Sequence, residues 1–259
     1  MGYTLDKIID IHTHIWDRRE GIDIRAEDQR TLISMADRFD LEGLVVMPLF
    51  GGHCPSPDQI TAGNDAVRLF AQADERIWPF VTIWPPNLDN ALEELSRRIE
   101  EQNFYGVKVW VCHADHPKMF PVAEKVIEYG KPILIHALAK ATGQLPLESN
   151  PVHIANLARR YPELQIIMAH MGGDFIFGCN AIADCPNVVT DISGSYCESG
   201  MVEYGVKMLG AERVLFGSDA PAASFINNLA KVMTAQIEPA ERCSILHDNA
   251  YSLLKTSLS

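Results

Sequence analysis

Short apolar runs and longer two-faced stretches alternate along the chain. Eight runs are near-continuously apolar and rich in Val and Ile: 7–11, 43–47, 78–83, 106–111, 133–135, 165–169, 187–191 and 213–217. Strands of a parallel sheet covered on both faces read this way, because neither face meets water. Between them, 26–39, 62–73, 88–102, 118–129, 152–161, 175–183 and 201–209 mix polar and apolar positions at helical spacing, and 225–235 and 239–255 follow the last run. In 88–102, Leu92, Leu95 and Ile99 recur at three and four, with Glu93, Glu94, Arg97 and Arg98 between them. Turn signals such as Gly130-Lys131-Pro132 and Cys185-Pro186-Asn187 precede several strands.

Strands alternating with helices predict βαβ units and a parallel sheet, and eight units predict closure into a (β/α)8 TIM barrel. The whole chain, 1–259, then reads as one domain, a size at which barrels are common. An open doubly wound sheet would usually carry a Gly-rich phosphate loop after its first strand. Here the first strand runs into His12-Thr13-His14 instead.

Composition narrows the function classes. The net charge of -12 disfavours nucleic acid and anionic lipid as partners. No run of about 18 apolar residues and no signal-peptide pattern occurs, so the reading is a cytoplasmic protein without a membrane span. The six cysteines include no Cys-x-x-Cys pair and read as reduced thiols. A small-molecule substrate is the expected partner, and a homo-oligomer stays open.

The chemistry sits at strand ends. His12 and His14 close the first strand one residue apart, so both imidazoles can share a face. His136 closes the fifth run, His170 the sixth and Asp219 the eighth. In a barrel the C-terminal strand ends converge on one site. Imidazoles with a carboxylate suit a divalent ion, zinc first. Such an ion lowers the pKa of bound water to about 7.

These segments resemble the amidohydrolase superfamily, and more closely its amidohydrolase-2 group, which includes the aminocarboxymuconate-semialdehyde decarboxylase-like enzymes. The resemblance is carried by Ile9-Asp10-Ile11-His12-Thr13-His14, the Ile-Leu-Ile-His ending at His136, Ala169-His170-Met171-Gly172-Gly173, the Val-Leu-Phe-Gly-Ser-Asp-Ala-Pro of 214–221, and the closing helix at 247–254. It implies that His12, His14, His136 and Asp219 hold the catalytic metal. It makes His170 either a ligand to a second ion or an acid/base touching substrate, and makes Asp219 the acceptor of the water proton in hydrolytic members. The expected activity is hydrolysis of an amide, lactone or ester in a small, carboxylated molecule. The alternative is non-oxidative decarboxylation of an unsaturated or aromatic acid.

Lys108 lies inside the fourth strand with Trp110, both on the inward face, while Val107 and Val109 face the helices. A lone buried ammonium is costly. Three readings stand: an inner structural or substrate-binding lysine, a carbamylated bridge between two metals as in some superfamily members, or neither. The hydrolytic expectation leans on Lys108. Trp110, His113 and Ser193 are the candidate substrate contacts. Trp16 and Trp84 could wall a pocket, and Asp174 could cap a helix after the close-packed Gly172-Gly173.

Overall fold

The structure, a computed structural model, describes residues 7–17 and 25–255. Eight parallel strands form one sheet in chain order: β1 (Ile8–Trp16), β2 (Leu41–Leu49), β3 (Ile77–Ile83), β4 (Gly106–Val109), β5 (Ile133–Ile135), β6 (Ile166–Met168), β7 (Val188–Asp191) and β8 (Val214–Leu215). The helices are α1 (Arg25–Phe39), α2 (Pro57–Ala73), α3 (Leu88–Ser96), α4 (Met119–Glu128), α5 (Pro151–Arg160), α6 (Phe175–Ile182), α7 (Met201–Leu209), α8 (Phe225–Thr234), α9 (Pro239–Cys243) and α10 (Asn249–Lys255). The chain leaving β8 returns to β1. Ile11 N donates to Phe216 O at 3.1 Å, Asp219 N to His12 O at 2.7 Å and His14 N to Ala220 O at 2.8 Å. The sheet therefore closes as a (β/α)8 barrel. Among the described residues, no helix is long and apolar enough to cross a membrane.

Two apolar shells hold the barrel. Val107, Val109, Ile133 and Ile135 pack outward against helical residues such as Leu95, Val122 and Ile154. Ile9, Ile11, Val45, Met47, Phe80, Leu134, Ile167 and Leu215 fill the interior, joined by Ala250 and Leu254 of α10. The last helix thus plugs the barrel, and the histidines occupy the other end.

A bulge in β1 aims the His-x-His pair. The register with β2 slips between Asp10 and Thr13. Across the slip the inward set changes: Ile9 and Ile11 fill the interior, whereas His12 and His14 line the cavity and Ile15 packs outward. A bulge leaves a backbone N–H outside the ladder. Here His12 N donates to Asp10 Oδ1 at 3.1 Å, and the same oxygen accepts from Ser218 N at 2.9 Å. Asp10 thereby ties the bulge to the segment that carries Asp219.

Local chemistry explains where element ends depart from expectation. Helix α2 starts five residues before 62, at Pro57, because Ser56 and Gln59 form a reciprocal capping box. Asn150 and His153 do the same for α5, and Asp174 caps α6 as expected, accepting from Phe177 N at 3.0 Å. Strand β8 is shorter than 213–217, since Phe216 N is taken by Ile245 O at 2.9 Å. The helix expected over 88–102 finishes in a π-helical turn, Arg97–Glu101, and two of its charged positions are buried. Arg98 is 0% exposed and Glu94 2%. Arg98 Nε meets Glu94 Oε2 at 2.9 Å, and Thr61 and Asn64 donate to the same carboxylate.

Candidate active site

His12, His14, His136, His170, Asp219, Lys108 and Trp110 line one cavity of about 170 Å³ with Trp16, Leu49 and Ala222. Of the expected site residues, His113 and Ser193 are not in its lining. His113 lies against His153, rings tilted by 34° with centroids 4.2 Å apart. Ser193, 1% exposed, lies behind the histidines instead.

The backbone at two site residues is strained. His170 and Asp219 both adopt φ of 61°, a left-handed conformation that costs a non-glycine residue about 1–3 kcal/mol. His170 leaves β6 in a tight turn that packs under α5. A Cβ at Gly172 in that turn would lie 2.4 Å from Pro151 Cγ. At Asp219 the turn is held to β1 by the bonds that close the barrel. The chain bears this strain where it aims a side chain into the cavity.

Each imidazole is oriented from behind. His12 Nδ1 meets Asp191 Oδ2 at 2.8 Å, and His14 Nδ1 faces Met47 O at 3.3 Å. His170 Nδ1 lies 2.9 Å from Ser193 Oγ and 3.3 Å from Ser193 O. Ser193 Oγ donates to Asp191, so it accepts from His170. His136 is turned the other way: Nε2 meets Glu148 Oε1 at 2.8 Å. Burial raises the cost of ionising Asp191, but the charge and bond of His12 with those of His170 and Ser193 hold it far below the usual carboxylate range. Asp191, Glu148 and Asp10 were absent from the residues singled out in the sequence. Asp191 alone had a signal there, a polar group closing an apolar run.

These contacts fix which ring atoms face the cavity. Burial pushes His14 and His170 down to about 4, so both are neutral at pH 7. Acceptors on His12 Nδ1, His170 Nδ1 and His136 Nε2 draw the single proton of each ring there. His136 Nδ1 and His170 Nε2 are then two bare lone pairs 3.2 Å apart. His14 has one proton and two acceptors, Met47 O and Asp219 Oδ1 at 3.1 Å. Acceptors that face one cavity with too few hydrogens between them suit a bound cation, or a proton shared there. Ligand atoms of His12, His14 and Asp219 lie within 4.8 Å of one another. The donor set fits a divalent ion of borderline softness.

Lys108 faces the same centre. Its Nζ is 3.1 Å from His12 Nε2, and no carboxylate lies within ion-pair distance among the described residues. Burial pushes it down to about 8. A second cluster, His113, Asp115 and His153, is built differently. His153 Nδ1 accepts Asn150 N at 3.2 Å in the α5 capping box, which places its proton on Nε2 and leaves no free lone pair for an ion.

The family model Amidohydro_2, amidohydrolase, matches residues 9–256. The chain belongs to the amidohydrolase family. Solved structures share the fold of this amidohydrolase at low identity. 2,6-Dihydroxybenzoate decarboxylase from Rhizobium is 18% identical, with a TM-score of 0.80 over 97% of this chain and 99% of that one. Dihydroxybenzoic acid decarboxylase from Polaromonas sp. JS666, with bound manganese and the inhibitor 2-nitroresorcinol, is 17% identical, with a TM-score of 0.77 over 97% of each chain. 4-Oxalomesaconate hydratase from Rhodopseudomonas palustris is 14% identical, with a TM-score of 0.70 over 96% of each chain. No curated protein matches this amidohydrolase in sequence.

Proposed function

We propose that this enzyme is a divalent-metal-dependent, non-oxidative decarboxylase of a small, planar aromatic or unsaturated carboxylic acid. The observation that carries the metal is the cluster of His12, His14 and Asp219, whose ligand atoms lie within 4.8 Å of one another and which share one cavity with His136. Decarboxylation is preferred to the hydrolysis expected from the sequence because similar solved structures are decarboxylases that act on aromatic acids, one of them with manganese. The cavity supports this choice. Trp16, Trp110 and Leu49 give its lining an apolar, aromatic part, the two indoles edge to face with centroids 6.4 Å apart, and about 170 Å³ suits a single ring.

In this reading His12, His14, His136 and Asp219 hold the ion, zinc or manganese. When bound, it would fix the oxygens of the acid and draw off negative charge. Trp16 and Trp110 orient the ring. The C–C bond to the carboxylate breaks, its electron pair stays on the ring or alkene carbon, and carbon dioxide leaves. His170, whose Nε2 lone pair can take a proton from solvent, delivers that proton to the carbon. Ser193 holds the other side of His170 and so acts behind the reacting atoms.

Hydrolysis is the second reading, favoured by one observation: Lys108 is buried at the site with no carboxylate within ion-pair distance among the described residues. Metal-loaded enzyme incubated with aromatic and unsaturated acids in heavy water separates the two. Carbon dioxide release with deuterium at the vacated carbon is the expected result. Bond cleavage that incorporates solvent oxygen without gas would overturn the decarboxylase.

A further inference from the structure

We infer that Glu148 is a positioning residue that turns His136 to present Nδ1, and that it thereby sets the affinity of the site for its divalent ion. The inference rests on the metal-binding part of the proposed function.

The argument starts from an asymmetry among the four site histidines. His12, His14 and His170 have Nδ1 held by the protein and Nε2 toward the cavity. Only His136 is reversed, with Nε2 on Glu148 and Nδ1 3.2 Å from His170 Nε2. Nδ1 is nearer the backbone than Nε2, so the reversal sets the donor atom back toward the β5 wall.

Glu148 is built to impose this. It is 2% exposed yet charged. Lys140 Nζ reaches its two oxygens at 2.7 and 2.8 Å, Gln144 Nε2 donates at 3.0 Å and Leu145 N at 3.1 Å. Every one of these partners is a donor, so Glu148 can only accept from His136. That keeps the proton on Nε2 and leaves the Nδ1 lone pair free. The backbone next to it is pinned as well. Ser149 Oγ donates to Cys112 O at 2.8 Å and accepts from Ala114 N at 2.8 Å, and Ser149 bridges Ala137 beside His136. A carboxylate behind a ligating imidazole fixes its tautomer and raises its basicity, and losing such a partner weakens metal binding about 10–100-fold.

Three measurements test this on the full chain. Nitrogen NMR of metal-free wild type is expected to find His136 protonated at Nε2 and bare at Nδ1; a proton on Nδ1 overturns the inference and needs no variant that folds. Calorimetric titration with manganese or zinc chloride is expected to find Glu148→Ala weaker by about 10–100-fold. In a His136→Ala background the same change is expected to cost nothing further, since Glu148 acts through that ring. An equal loss in both backgrounds overturns it. Glu148→Ala binding as tightly as a wild type that does bind overturns this inference alone. A wild type that takes up no divalent ion overturns the proposed function as well.

Discussion

At the scale of single residues, the site sets acceptors against acceptors and leaves a cation to reconcile them. His12→Ala and Asp219→Asn are each expected to abolish turnover and lower bound metal, measured by elemental analysis, with far-UV circular dichroism unchanged. Full metal content in both variants would remove these residues from the ligand set. Lys108 gives an opposite expectation. Its ammonium competes with an ion for the His12 Nε2 lone pair at 3.1 Å, so Lys108→Met is expected to bind metal at least as tightly as wild type. Loss of metal in that variant, with the mass of a carbamate on the wild-type chain, would make Lys108 a bridge between two ions. His170→Asn is expected to keep its metal and lose turnover by about 10²–10⁴-fold. Near-normal rates in that variant would end its role in proton transfer. The histidines were legible because each interrupts an apolar run at a strand end. Glu148 was not, because it lies in a loop 12 residues beyond His136 and nothing in its neighbours marks it as buried. Asp10 was quoted only as part of a motif, and its work on the bulge depends on pairing with Ser218 N, 208 positions away.

At the scale of elements, the polar face of α3 is partly an interior. Glu94 joins Arg98, Asn64 and Thr61 beneath α2, and Asn64 also pairs with the buried backbone of β3, accepting from Thr82 N at 2.9 Å and donating to Thr82 O at 3.0 Å. Glu94→Ala removes the buried carboxylate beside Arg98 and leaves the guanidinium to Asp65, Gln102 and Thr61 O, a loss expected to cost about 1–3 kcal/mol, readable by urea unfolding. A change under 1 kcal/mol would mean that Asp65 and Gln102 suffice for Arg98. Burial alone would raise the Glu94 carboxyl, but the bonds from Asn64, Thr61 and Arg98 hold it below the ordinary glutamate range. Its contribution is therefore fully present above the unfolded pKa of about 4 and is lost as pH falls through the lower native value. Unfolding measured across that acid window is expected to flatten in Glu94→Gln. Helical periodicity placed the element correctly and misread this face, since spacing tells which residues are neighbours and not what lies over them. Strand existence was legible for all eight runs. Their lengths were not, because the ends of β1 and β8 are set by a bulge and by bonds between the two ends of the chain.

At the scale of the whole molecule, the apolar shells and the proposed metal site are separate structures. The interior below the site is filled by Ile9, Ile11, Phe80, Leu134 and Leu254, none of which is a ligand candidate. Stripping metal with a chelator is expected to abolish turnover and lower the melting temperature, while circular dichroism stays that of the barrel. Collapse of the helical signal on chelation would show that the ion holds the fold together. The sequence by itself determined the alternation of strands and helices, and with it the number of units and the placing of histidine and aspartate at strand ends. Those features are local, written in periodicity and in polar groups that interrupt apolar runs. Only the tertiary structure decided which nitrogen of each ring faces the cavity and which buried carboxylates stand behind the rings. Those choices depend on partners from distant strands, and a proton or lone pair has no direction until its neighbours are in place.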